Sequence, residues 1–238
     1  MKKAILISMS VIILSVLFIS EITHAQGKSD RGPLSKKVFI HYKKAKAKPE
    51  RPVKPTKPPK DEEGSYTYIS NGLKWKYTED FVINASEGIA DLVGLGMDEW
   101  EYWADADIFG NLYTGNVSVN SSVDNINAII FAPLEEQNVI AVTSVWGYFY
   151  GPPKTREIIE ADMIFNTNYA WGTFENDGAG VMDILNIATH ELGHVAGMGD
   201  LYDTTTTEET MYGYSHEGET KKRDLYSGDK AGIKNLYQ

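Results

Sequence analysis

Apolar and polar positions along the chain change period several times, and each change marks an element. The longest apolar run covers 5–19, after Lys2 and Lys3. The stretch 72–77, Gly-Leu-Lys-Trp-Lys-Tyr, alternates apolar and polar residues and predicts a half-buried strand at the start of the folded part, near Tyr66. Over 86–103, Ile89, Leu92, Val93, Met97 and Trp100 recur near helical spacing, with Ser86 placed to cap the helix and Glu87 in its first turn. Strands rich in Val, Ile and aromatic residues are predicted at 127–131, 139–148 and 158–165, and a further helix runs through 181–194 with Ile184, Leu185, Ile187 and Ala188 on its apolar side. The mixture predicts an α+β domain without internal repeats.

Charge divides the 238 residues into a basic tail and an acidic body. Residues 26–60 hold twelve Lys and Arg against two Asp and Glu, whereas 61–238 hold nine against thirty. A body that acidic repels nucleic-acid phosphates, which argues against a nucleic-acid partner. The apolar run 5–19, followed by Thr23-His24-Ala25, reads as a secretory signal over 1–25, with an N-terminal membrane anchor as the alternative. A run of this length falls short of the ~20 residues that span a bilayer. The organisation expected is therefore a signal at 1–25, a basic Pro/Lys-rich propeptide or linker at 26–64 and a catalytic domain at 65–238 in a secreted protein.

From Lys43 to Lys60, prolines and lysines favour an extended, solvated backbone. That stretch reads as a spacer, or as a cationic strand that lies across the acidic body or contacts an anionic cell surface. Asn84, Asn116 and Asn120 each begin an Asn-x-Ser acceptor sequence. The chain has 0 Cys, so it has no disulfide framework, thiol nucleophile or thiolate metal site. A metal must sit on His and carboxylates.

The segment 181–203 supplies such groups. His190 and His194 are four residues apart, so on a helix their rings project from one face and reach a common cation. Glu191 stands beside that cation without ligating it, placed to take a proton from water. Gly197 suits a left-handed residue that ends the helix and reverses the chain. The reversal brings Asp200 to the third side, where a carboxylate binds zinc at about 2.0–2.2 Å. His216 is the alternative third ligand.

The pattern His190-Glu191-x-x-His194-x-x-Gly197-x-x-Asp200 resembles the metzincin clan of zinc endopeptidases, and in detail its matrixin branch. Asp replaces the usual third His, as in the small secreted snapalysin group. Thr210-Met211-Tyr212-Gly213 is similar to the clan's Met-turn, which implies that Met211 forms an apolar floor beneath the metal. Asp162 to Asn166 followed by Trp171 resembles the matrixin strand before the active-site helix, and 227–237 resembles its last helix.

The resemblance implies a zincin-like catalytic domain: a twisted mixed sheet with an active-site helix and a C-terminal helix. It implies a catalytic Zn2+ on His190, His194 and Asp200, with Glu191 as general base. It also implies an edge strand, around Ile140, Ala141, Val142 and Thr143, that pairs with extended peptide substrates, with Tyr212 and Tyr214 as further substrate contacts. Structural Ca2+ is common in matrixin relatives, and the acidic body offers oxygen ligands. Without Cys, a thiol cannot block the metal, which leaves Asp30 or the basic tail as candidates for latency. Two other classes share these features: a zinc amidase acting on cell-wall peptides, and a non-catalytic zinc-containing binding module.

Overall fold

A computed structural model describes residues 31–44 and 64–238; the expected signal segment, Asp30 and most of the Pro-rich stretch lie outside the described residues. The strands are β1 (Ser35–Lys43), β2 (Glu79–Asn84), β3 (Phe109–Thr114), β4 (Asn127–Ala132), β5 (Val139–Tyr148), β6 (Glu157–Asn166), β7 (Trp171–Gly172), β8 (Met182–Asp183) and β9 (Tyr214–Ser215). The helices are α1 (Glu87–Ala104), α2 (Phe174–Asp177), α3 (Ile184–Val195) and α4 (Ser227–Tyr237). Seven strands form one mixed, twisted sheet in the order β3-β2-β4-β6-β5-β1-β9, and β7 pairs with β8.

Parallel pairing joins β3, β2, β4 and β6, and β5 then runs antiparallel to β6. β6 has a neighbour on each side and is buried along most of its length, where Ile158, Ala161, Met163 and Phe165 alternate with the buried polar groups of Glu160, Asp162 and Asn166. Phe81, Ile83, Ile129, Ile140, Met163 and Phe165 are fully buried on the sheet and share one core with Val93, Met97 and Trp100 of α1 and Ile187, Leu192 and Val195 of α3. Each such side chain contributes roughly 1.5–3 kcal/mol by leaving water. Gly96 permits α1 to approach α3, since a Cβ there would lie 3.0 Å from both Leu192 Cδ1 and Thr189 Oγ1. Trp100 Nε1 then donates to the Thr189 carbonyl at 2.7 Å and fixes the crossing.

Three local expectations are corrected. Residues 72–77 alternate as predicted, with Leu73 and Trp75 buried, but they join no ladder and form a loop, because Trp75 points inward to give its Nε1 hydrogen to the Val195 carbonyl at 2.8 Å. Ser86 precedes α1, yet its side chain makes no capping bond; its backbone carbonyl accepts from Ile89 and Ala90 instead. The helix predicted from 181 starts at Ile184, because Asp183 accepts from the Asn186 amide at 2.9 Å and caps it there.

The described structure also includes residues ahead of Tyr66. Residues 35–43 form β1, which pairs antiparallel with β5 from Ser35 to Tyr42 and parallel with β9 at Tyr42 and Lys43. β5 is therefore an inner strand here, and the side expected to be open is covered by β1.

Candidate metal centre

Helix α3 carries His190, Glu191 and His194, all at most 1% exposed. Each imidazole is held through Nδ1: that of His190 meets the Thr210 carbonyl at 2.7 Å, and that of His194 meets the Met198 carbonyl at 3.0 Å. A carbonyl only accepts, so the proton of each neutral ring sits on Nδ1 and each Nε2 is left with a lone pair.

The chain then reverses as the spacing requires. Gly197 takes φ +104°, and a Cβ there would come within 2.5 Å of the Leu73 carbonyl oxygen, so both conformation and space demand glycine. The turn is closed by Met198 N donating to the Gly193 carbonyl at 2.8 Å. It delivers Asp200, whose Oδ1 lies 3.3 Å from Nε2 of His190 and 3.3 Å from Nε2 of His194.

Three acceptor atoms facing one another in a buried site repel unless a cation lies among them. His190 Nε2 and Asp200 Oδ1 are both buried without a hydrogen-bond partner, and the ligand atoms of His190, His194 and Asp200 lie within 4.8 Å of one another. This donor set, two imidazoles and one carboxylate, fits zinc and leaves a fourth position for water. Without the metal, burial and Lys222 pull His190 down to about 4. Burial also opposes charge on Asp200, but His194 and His190 outweigh it and hold the carboxyl far below its usual range.

A second layer supports each group. Tyr202 donates its hydroxyl to Asp200 Oδ2 at 3.0 Å. Met211 is fully buried beneath α3, against Gly193. Asp229 of α4 accepts from the amides of Thr210 at 2.5 Å and Met211 at 3.2 Å, so α4 fixes the turn whose Thr210 carbonyl orients His190. Glu191 Oε2 accepts the Thr143 hydroxyl, and its Oε1 lies 3.2 Å from His41 Nδ1 without hydrogen-bond alignment. Burial raises the Glu191 carboxyl to about 7, against opposing pulls from His194 and Thr143.

Of the residues singled out in the sequence, Glu191, His190, His194, Asp200, Gly197 and Met211 converge. Thr143 joins them through its hydroxyl; Ala141, Val142 and Thr143 are all paired with β1, and Ile140 is skipped where the register shifts. Tyr212 is buried and Tyr214 half-buried; their rings pack 5.7 Å apart, and that of Tyr214 lies 5.6 Å from Tyr202. His216 is exposed, 3.5 Å from Glu219 Oε2, and lies outside the cluster. Among the described residues the only other group of three potential metal ligands is His41, His190 and Glu191, so none stands apart as a calcium site.

Sequence reasoning missed His41, Tyr202, Lys222 and Asp229. Lys222 is fully buried and donates to the carbonyls of Tyr212 and, at 3.0 Å, Tyr214. The alternation Val38, Ile40, Tyr42 against Lys37, Phe39, His41 was the available signal for β1, obscured by the surrounding lysines.

Residues 136–238 match the family model described as Matrixin, a span that contains β5, β6, α3, Asp200, Met211 and α4. Over these residues the chain is similar to the matrixins. That likeness supports a metalloprotease that acts on peptides. No curated protein matches the chain. Among the described residues of the matrixin-like chain, no helix is long and apolar enough to cross a membrane.

Proposed function

We propose that the chain is a secreted zinc endopeptidase in which His190, His194 and Asp200 hold the metal and Glu191 is the general base. The observation that carries this reading is the convergence of two Nδ1-anchored histidines on one carboxylate, with a buried glutamate beside them. When bound, zinc supplies Lewis acidity, which lowers the pKa of water towards 7 and polarises a peptide carbonyl.

The rest falls to the chain's own residues. Glu191 takes the proton of the attacking water at its carboxylate and passes it to the departing amine nitrogen. Its pKa of about 7 suits both halves of that transfer near neutral pH. Thr143 holds Oε2, which leaves Oε1, 3.2 Å from His41 Nδ1, without a hydrogen bond of its own. Tyr202 fixes the rotamer of Asp200 through Oδ2 and keeps Oδ1 aimed at the histidines. Secretion is supported by the apolar run 5–19 and its small-residue boundary. The lysines of the tail favour contact with an anionic cell surface.

Digestion of casein by the purified chain, with and without a chelator, tests the reading beside Glu191→Gln. The expected outcome is zinc-restorable cleavage and a loss of roughly 10²–10⁴-fold in the variant with zinc retained. Cleavage that survives both treatments overturns it. Hydrolysis of purified cell-wall material without casein cleavage would instead mark an amidase.

A further inference from the structure

We propose that two neighbouring grooves at the C-terminal ends of α1 and α4 form a docking surface for an anionic polysaccharide. The inference stands apart from the peptidase reading, because no candidate metal ligand and no candidate base lines either groove. One groove, of about 440 Å³, lies between Tyr102, Trp103 and Asp105 on one side and Lys230, Lys234 and Gln238 on the other. The second, of about 420 Å³, is lined by Lys74, Lys76, Tyr77, Asp107 and Tyr237. Both volumes fall within the ~300–1,000 Å³ of small-ligand sites. The linings are neighbours in the chain at Asp105 and Asp107 and again at Tyr237 and Gln238, and Gln238 Nε2 ties the two ends by donating to the Ala104 carbonyl at 3.4 Å.

Charge sets this surface apart from the acidic body. Residues 61–238 carry nine Lys and Arg against thirty Asp and Glu, and four of the nine, Lys74, Lys76, Lys230 and Lys234, line these two grooves. Lys76 pairs with Glu157 at 3.0 Å, whereas among the described residues Lys74, Lys230 and Lys234 join no salt bridge. Lys74 and Lys230 lie instead over the rings of Tyr237 and Trp103, at 5.3 and 3.9 Å. Most of the other cations are engaged elsewhere: Lys221 and Arg223 are ion-paired, Lys222 is buried, and Arg156 donates to the Gly151 and Asn71 carbonyls.

The aromatic groups decide which anion fits. Tyr77 and Tyr102 are 76% and 74% exposed, the most open of the large apolar side chains among the described residues. Each presents the negative face of its ring to solvent, where the polarised C–H groups of a sugar can lie. Tyr102 stands edge-on to Trp103 at 5.2 Å, and beneath the second groove Trp75 and Tyr237 are anchored to the Val195 and Ala196 carbonyls at 2.8 and 3.0 Å. Asp105, Asp107 and Gln238 offer acceptors to hydroxyl groups. The two aspartates repel a dense polyanion such as nucleic acid. No strand residue lines either groove, which leaves an extended peptide no ladder to join. A chain of sugar rings with scattered carboxylates meets the rings, the lysines and the acceptors together.

Affinity electrophoresis of the full chain through gels containing polygalacturonate tests this, with neutral dextran as the comparison. Retardation by polygalacturonate that weakens with added salt, and little by dextran, is the expected result. Tyr77→Ala with Tyr102→Ala should raise the apparent Kd about tenfold or more, and so should Lys74→Gln with Lys234→Gln. All four side chains lie outside the core, and unchanged melting temperatures check that the fold is kept.

Both pairs leave the basic tail untouched. Retardation that survives in both therefore assigns binding to the tail and overturns the inference. Equal retardation by dextran, or none by either polymer, also overturns it. A chain that sediments with phosphatidylglycerol vesicles and passes polygalacturonate unretarded has a lipid-binding surface instead, which overturns it as well.

Discussion

Met211 packs its sulfur into the space that the missing side chain of Gly193 leaves open. A Cβ at 193 would overlap Met211 Sδ and come within 2.6 Å of Trp100 Cζ2. A glycine inside a helix normally costs stability, and here the close seating of the Met-turn under α3 offsets that cost. Gly193→Ala is expected to destabilise the fold by about 1–3 kcal/mol through overpacking. Met211→Ala in the same chain should recover part of the loss. Denaturant unfolding of the two single variants and the double variant checks this, and strictly additive effects would reject the contact as the cause.

Tyr202 orients Asp200 without reaching the histidines. Tyr202→Phe removes one hydrogen bond to the carboxylate, and a supporting group of that kind is commonly worth 10–100-fold in metal affinity. Zinc competition against a chromophoric chelator should show a loss in that range for Tyr202→Phe and a larger one for Asp200→Ala. Equal zinc affinity in Asp200→Ala and the unaltered chain would remove Asp200 from the site.

Lys222 is a fully buried cation whose donors hold the carbonyls of Tyr212 and Tyr214. Burial lowers its pKa to about 8, with Glu219 and Asp200 pulling the other way. Lys222→Met keeps the stem but leaves those carbonyls and nearby Glu219 without it, an expected cost of roughly 3–5 kcal/mol. Chemical denaturation reads the loss. The sign of the pH effect is fixed as well: the folded chain binds fewer protons than the unfolded one between about 8 and 10.5, so the intact protein gains stability from this residue as pH climbs through that window. The variant should lack that gain.

Asp162 sits within β6 and accepts from the Ala128 amide at 3.0 Å. Burial, reinforced by Glu160 and Asp124, raises its carboxyl from 3.8 to about 6. The folded chain therefore binds more protons than the unfolded chain between these values, and the residue costs stability increasingly as pH rises through them. Asp162→Asn keeps an acceptor and removes the charge. Its melting temperature should exceed that of the unaltered protein at pH 7, with the gap closing toward pH 4. A gap that widens on acidification would contradict the assignment.

The catalytic-type residues were legible because a helix turns spacing into geometry. His190 and His194 share a face whatever packs around them, and Gly197 marks a reversal because only glycine tolerates its backbone there. Strands β4, β5 and β6 were legible from their apolar runs, and α4 was marked at its observed bounds by its resemblance to the last matrixin helix. Residues 72–77 misled because alternation reports which side chains are buried, not whether the backbone finds a partner strand.

Sequence alone determined the kinds of candidate ligand, their order and the absence of any thiol, since these depend on residue identity and local period. Tertiary structure alone decided that His41 meets Glu191 across 150 residues of chain, that Tyr202 and Asp229 brace the site, and that the exposed side of β5 is closed by β1. Those relations are made by long-range pairing and burial. A lysine-rich segment carries no local mark of the acidic, aromatic surface that holds it in place.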